Sequence, residues 1–194
     1  MTAYVLQMQN ITKEFPGVKA LNRVNIAVKK GEIHALCGEN GAGKSTLMKV
    51  LSGVYPAGSY EGEIFINNKK MSFKNIKESQ QAGIAIIYQE LALIGEMTVA
   101  ENLFLGHELM QKSIIDWNKI YQQAIRALQR VGLNIDPQTK VNELSVGKQQ
   151  LIEIAKALTK QTDILILDEP TAALTESDVA VLKQLLHELR QQGV

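Results

Sequence analysis

The string GENGAGKST, Gly38–Thr46, constrains this 194-residue chain more than any other part of it. Gly38, Gly43, Lys44 and Ser45 follow the spacing glycine, four residues, glycine, lysine, serine. Glycines so placed let successive backbone N–H groups curl around a chain of phosphates. The run Ile33–Cys37 before the string reads as a core strand. Leu47, Val50 and Leu51 after it recur at helical spacing until Gly53 supplies a stop. Strand, glycine loop and helix in that order set a helix N-terminus behind the loop, and its dipole adds to the pull on an anion. Lys44 is placed to neutralise the outer phosphates of a nucleoside triphosphate, and the Ser45 hydroxyl to ligate the Mg²⁺ that travels with it. Glu39, Asn40, Gly41, Ala42 and Thr46 fill the rest of the cradle.

A second element fits the same chemistry. Ile164–Leu167 reads as a buried parallel strand, and Asp168 and Glu169 stand at its carboxyl end, the edge where ligands bind in such sheets. Asp168 could hold Mg²⁺ through water, and Glu169 could orient and deprotonate an attacking water. Around these elements the texture changes twice. Val5–Ile11 and Val24–Val28, punctuated by Pro16-Gly17 and Gly31, read as small N-terminal sheets. They are followed by a strand over Gly62–Asn67, a polar helix over Asn75–Gln81 and a strand, Ile84–Tyr88, buried on both faces. From there helical patterns dominate. Thr98 and Glu101 form a capping box, and Ile120, Ala124, Leu128 and Val131 share one face. Residues 90–160 are therefore expected to be a helical lobe without strands, inserted between a first part of the core, 1–89, and its return, 161–194. Thr175 is expected to cap a last helix with a stripe of Leu182, Leu185, Leu186 and Leu189, stopped by Gly193. In a doubly wound fold such a helix feeds another strand, so the chain reads as a fragment of something longer.

Charge narrows the partners. Lys and Arg number 21 against 20 Asp and Glu, a formal charge of +1, so no uniform field draws the chain onto nucleic acid. The apolar runs fall far short of the ~20 residues needed to span a bilayer. Cys37 has no cysteine partner and is expected to be a buried strand residue, and His34, His107 and His187 to be structural or solvated.

Leu144–Gln150 reads LSVGKQQ, and Tyr88–Glu90 reads YQE, between the two phosphate elements. Together with GENGAGKST and ILDEP, these strings resemble the ATPase domain of ABC transporters over the whole chain. The resemblance implies an α/β P-loop NTPase with a parallel core sheet, an antiparallel N-terminal β region and an inserted helical lobe. It also implies ATP and Mg²⁺ as ligands, with a helix opened by Ser145 and Gly147 binding the γ-phosphate held by a second ATPase domain. Ser145 is a good helix cap, and the free N–H groups beyond it make an anion site. By the same resemblance Gln89 senses γ-phosphate and metal, and Phe15 stacks on adenine. Three departures stand out: Val146 and Lys148 where the family has LSGGQ, and Thr175, after Ala173-Leu174, where it commonly has an aspartate.

Cys37–Ile64, Ile86–Gly106 and Leu167–Asp178 most resemble the ATPase subunits of bacterial monosaccharide importers, and Tyr55–Ile64 those that carry D-xylose. That likeness implies membrane permease subunits as partners, an indirect link to a periplasmic sugar-binding protein, and a peripheral place on the cytoplasmic face of the inner membrane, with no nucleic acid involved. Two other readings compete. One is a soluble ABC-type ATPase acting on nucleic acid or ribosomes; against it, no sustained charged heptads interrupt the stretch from Gln89 to Ser145. The other is a regulatory ATP-binding module with little hydrolysis, which LSVGKQQ and Thr175 make reasonable.

Overall fold

A computed structural model describes residues 4–88, 91–112, 114–171 and 174–194. The chain divides into two compact units: Met1–Ala85 with Thr162–Ile166 and Leu189–Val194, and Ile86–Gln161 with Leu167–Glu188.

The first unit is built on an antiparallel sheet in the order β2-β1-β3-β4, with β1 Tyr4–Phe15, β2 Val18–Lys29, β3 Glu61–Ile66 and β4 Lys69–Met71. Pro16 and Gly17 turn β1 into β2, with Gly17 at φ 78°. The first two strands are longer than the apolar runs suggest, because a bulge lets the core face change parity. Leu6 and Met8 are buried on even positions, then Ile11 and Lys13 on odd ones, and the register shifts at Asn10, which sits at φ 54°. Helix α1, Lys44–Leu51, buries Leu47, Val50 and Leu51. Asn75 caps the short helix α2, Ile76–Gln81, by accepting from the Glu78 N–H at 3.1 Å.

The second unit is mostly helical and takes in, besides residues 90–160, Leu167–Glu188, which were expected to return to the core. Helix α3, Val99–Phe104, opens on the expected capping box, with Thr98 and Glu101 bonding each other's backbone, an arrangement worth about 1 kcal/mol. It packs with α4, Trp117–Arg130, and α5, Val146–Leu158, around Leu103, Ile120, Leu128, Ile152 and Ile154, each 1% exposed or less. The last helix, α6, spans Glu176–Gln191.

Strands β5, Ile84–Ile87, and β8, Ile164–Leu167, form a two-stranded sheet. The Asp163 and Ile164 N–H groups bond the Gly83 carbonyl at one end, and the Asp168 N–H bonds the Ile87 carbonyl at the other. Both strands therefore advance together, and the pairing is parallel. An antiparallel N-terminal sheet, a parallel pair and a helical lobe make up the expected α/β architecture. No helix among the described residues is long and apolar enough to cross a membrane.

Four expectations fail locally. Ile33–Cys37 is not a strand, and Cys37 is exposed. A strand exists only where a neighbour takes its hydrogen bonds. Among the described residues the sheets are β2-β1-β3-β4, β5-β8 and one small hairpin, so this run joins no ladder there, and Ile33 and Leu36 are 54% and 40% exposed. For the same reason β8, with one neighbour strand, is half-buried along its length instead of buried. Tyr88 lies beyond the end of β5 and is 38% exposed. The lobe does hold strands: β6, Met110–Gln111, and β7, Ile114–Ile115, form a hairpin too short for any period to reveal. Of the histidines, His34 is exposed and pairs with Glu32 at 3.0 Å, while half-buried His107 lies 3.3 Å from the Thr159 hydroxyl.

Gly62, at φ 102°, allows β3 to touch β1, since a Cβ there would fall 2.5 Å from the Gln9 carbonyl oxygen. Gly62→Ala should lower stability by more than about 1 kcal/mol. A urea titration checks this, with the midpoint expected to fall at unchanged slope.

Candidate functional site

The phosphate loop takes its shape from glycine. Gly43 caps α1 at φ 93°, and a Cβ on it would lie 2.6 Å from the Ala20 carbonyl oxygen and 2.9 Å from Leu21 Cδ2. Strand β2 thus presses against the turn, and only glycine fits both the space and the left-handed backbone. Gly41, at φ 84°, and the Ala42 N–H bond to the Glu39 carbonyl at 3.1 Å complete the curl. Lys44 folds back across it, its Nζ donating to the Gly38 carbonyl at 2.7 Å and the Glu39 carbonyl at 2.9 Å. An ammonium held by neutral carbonyls gains when an anionic oxygen arrives, because two opposite charges attract more strongly than a charge and a carbonyl dipole. Gly38–Ala42 and Ser45 are exposed, and Ser45 and Thr46 stand in the first turn of α1.

Phe15 ends β1 opposite Val18, two residues before Ala20. Its ring is half-buried and meets Tyr55 edge-on at 5.5 Å, with Lys13 Nζ 5.1 Å from both ring centres. No pattern in the sequence announces Lys13, which is only 8% exposed and owes its burial to the bulge before it.

Asp168, Glu169, Ser145 and Gly147 belong to the second unit, Lys44 to the first. Asp168 is half-buried at the end of β8. Glu169 is exposed and at φ 47°, the left-handed region that few residues other than glycine enter, a backbone strain common at functional turns. Gln89 lies outside the described residues, as does Ala173.

Ser145 occupies the N-cap of α5, but its side chain makes no capping hydrogen bond, contrary to the simple capping role. The preceding loop is instead fastened by Gln149, whose Nε2 donates to the Val141 and Leu144 carbonyls at 3.1 and 2.9 Å. Gly147 is buried, and a Cβ on it would sit 2.3 Å from Asp178 Oδ2. That carboxylate also accepts from the Thr175 hydroxyl at 2.6 Å, while the Asp178 N–H donates to Thr175 Oγ1 at 3.3 Å. Thr175, a departure from the family pattern, therefore caps α6. Glu153, on α5, is 9% exposed, and burial raises its pKa against the opposing pull of Lys156 and the Ala92 N–H.

Ser45 and Asp168 are both oxygen donors, the set a hard cation such as Mg²⁺ takes alongside phosphate oxygens and water. The sequence pattern of the ABC transporter family matches residues 21–172. The chain belongs to the ABC transporter family. It is 71% identical, over its whole length, to the xylose import ATP-binding protein XylG of Geobacillus kaustophilus, and 61% identical to the L-arabinose transport ATP-binding protein AraG of Geobacillus stearothermophilus. In both cases the chain spans 38% of the relative's length. Among solved ABC structures, the ADP conformation of an ATP-binding cassette superposes with a TM-score of 0.86 at 32% identity, covering 100% of this chain and 79% of that one. A dimeric, post-hydrolysis cassette bound to ADP and Pi does so at 0.79 and 28%, covering 97% and 84%.

Two outcomes are expected of α5. Gly147→Ala should drive the Asp178 carboxylate off Thr175 and cost about 1 kcal/mol of capping energy, read as a lowered thermal midpoint. For Glu153 the folded pKa is raised, so its contribution to stability is fully present below the unfolded value near ~4.3 and is lost as pH rises through the folded value. Glu153→Gln, which cannot ionise, should gain stability relative to wild type as pH rises above the unfolded value; a difference independent of pH would contradict this.

Proposed function

We propose that this chain is a cassette that binds ATP with Mg²⁺ and hydrolyses it to energise import of a monosaccharide. The observation that carries the reading is Lys44, held over a glycine-built loop at the mouth of a helix N-terminus. Its backbone N–H groups and ammonium bind the β- and γ-phosphates, and Phe15, backed by Tyr55, offers a face for adenine. Glu169 takes the proton of the attacking water, and Gln89 orients that water and reports the γ-phosphate to the lobe. Bound Mg²⁺ would neutralise charge on the phosphates, with Ser45, Gln89 and Asp168 as the residues to hold it.

The site is completed by a second cassette, whose Ser145 and Gly147 meet the γ-phosphate with unbonded N–H groups of α5. Such an arrangement closes two nucleotides between two cassettes and opens on hydrolysis. In this organisation residues 1–89 and 161–194 form the ATP-binding core and 90–160 the lobe that pushes on permease subunits. The partners are therefore a second cassette, a membrane permease and, indirectly, a periplasmic sugar-binding protein, at the cytoplasmic face of the inner membrane. Relatives named for xylose and for L-arabinose both handle five-carbon sugars, so a pentose is the cargo class. A near-neutral charge and the sugar-importer relatives disfavour a nucleic-acid ATPase.

The test is ATP turnover by the full-length protein with its membrane partner. Glu169→Gln should retain nucleotide binding and lose roughly 10²- to 10⁴-fold in kcat, the usual worth of a general base. Lys44→Ala should weaken nucleotide binding itself. Wild-type turnover by Glu169→Gln would remove Glu169 from its role.

A further inference from the structure

Lys13 is an unexpected residue for a buried position of the N-terminal sheet. It shares a face of β1 with Phe15, two positions on, and with Ile11, which that face buries completely. An apolar side chain would cost less to bury than an ammonium, and lysine is rarely buried without a partner. Among the described residues Lys13 joins no ion pair. It meets a neutral carbonyl and two aromatic rings instead. Its Nζ donates to the Ser59 carbonyl and lies 5.1 Å from the centres of both the Phe15 and the Tyr55 rings, which themselves meet edge-on at 5.5 Å. A desolvated ammonium is drawn to a ring face by the quadrupole of the ring.

Each of these contacts leads back to the phosphate loop within the first unit. Across the ladder Lys13 pairs with Leu21, whose Cδ2 lies 2.9 Å from where a Cβ on Gly43 would fall. Tyr55 follows α1, and its N–H donates to the Lys49 carbonyl of that helix at 3.0 Å. Ser59 closes the turn after Tyr55, its N–H donating to the Pro56 carbonyl at 3.0 Å. The pairing of Phe15 with Val18 fixes where its backbone runs but not where its ring points, and the ring is met by Lys13 and Tyr55. We propose that Lys13 is a positioning residue for the nucleobase: it clamps the Phe15 and Tyr55 rings to the Ser59 turn, so that Phe15 presents one fixed face to a purine while the phosphates lie in the loop of Lys44. This rests on the reading above in which adenine lies on Phe15. Losing the clamp should weaken the share of binding that belongs to the base and spare the share that belongs to the phosphates.

The experiment titrates the full-length protein with ATP and with inorganic tripolyphosphate, each with Mg²⁺, and reads Kd at the site that Lys44→Ala weakens. Tripolyphosphate can fill the loop but has no base. Phe15→Ala should weaken ATP binding by at least about fivefold and leave tripolyphosphate within about twofold. Lys13→Met, similar in length but uncharged, should weaken ATP by at least about threefold, with tripolyphosphate again within about twofold. Lys13→Arg keeps a cation for both rings and should bind ATP within about twofold of wild type. Tyr55→Leu removes the second ring and should show the same selective loss even if Lys13→Met folds poorly. Wild-type ATP affinity in either Lys13→Met or Tyr55→Leu overturns the proposal, as does equal weakening of both ligands, or equal loss of ATP in the methionine and arginine variants. Wild-type ATP affinity in Phe15→Ala would overturn the adenine reading, and the proposal with it.

Discussion

A backbone that must pass within contact distance of a strand cannot carry a side chain there, and Gly43 meets that condition against Ala20 of β2. The shape of the glycine loop depends on this contact. It sets the start of α1, so Lys44 is the first helical residue and its stem can turn back over the Gly38 and Glu39 carbonyls. It also ties the loop to the hairpin that ends in Phe15. The N-terminal sheet thus packs against the glycine loop, and the bulge at Asn10 lets β1 keep a buried face across its change of register.

Much of this was legible from the sequence because it follows local rules. The loop and its helix, the capping box at Thr98, the face of Ile120, Ala124 and Leu128 and the acidic end of β8 are all set by neighbours within a few positions. What stayed hidden depends on distant partners. Ile33–Cys37 has the composition of a core strand, but strand formation is a property of a pair, and no ladder receives it here. Glu169 enters the left-handed region although nothing about a glutamate advertises it. Lys13, Gln149 and Glu153 are polar residues whose use is decided by a backbone group up to 61 positions away. Gln89, the expected sensor, lies outside the described residues.

Helix α5 shows how departures from a family pattern can be absorbed. Gly147, the glycine that is kept, sits against the Asp178 carboxylate, and Thr175 is engaged in capping that same residue. Val146 and Lys148, which do depart, are exposed, so they alter the surface of the helix and not how it packs. Ser145 is left without a side-chain capping bond.

We propose that Lys44 and Glu169 act on one nucleotide. A crystal structure of the full-length protein with MgATP, trapped by Glu169→Gln, tests it most directly. The account requires Lys44 Nζ on the β- and γ-phosphate oxygens and the residue 169 side chain within about 3 Å of a water in line with the γ-phosphate. A nucleotide bound elsewhere, or residue 169 turned to bulk solvent away from the γ-phosphate, would contradict it.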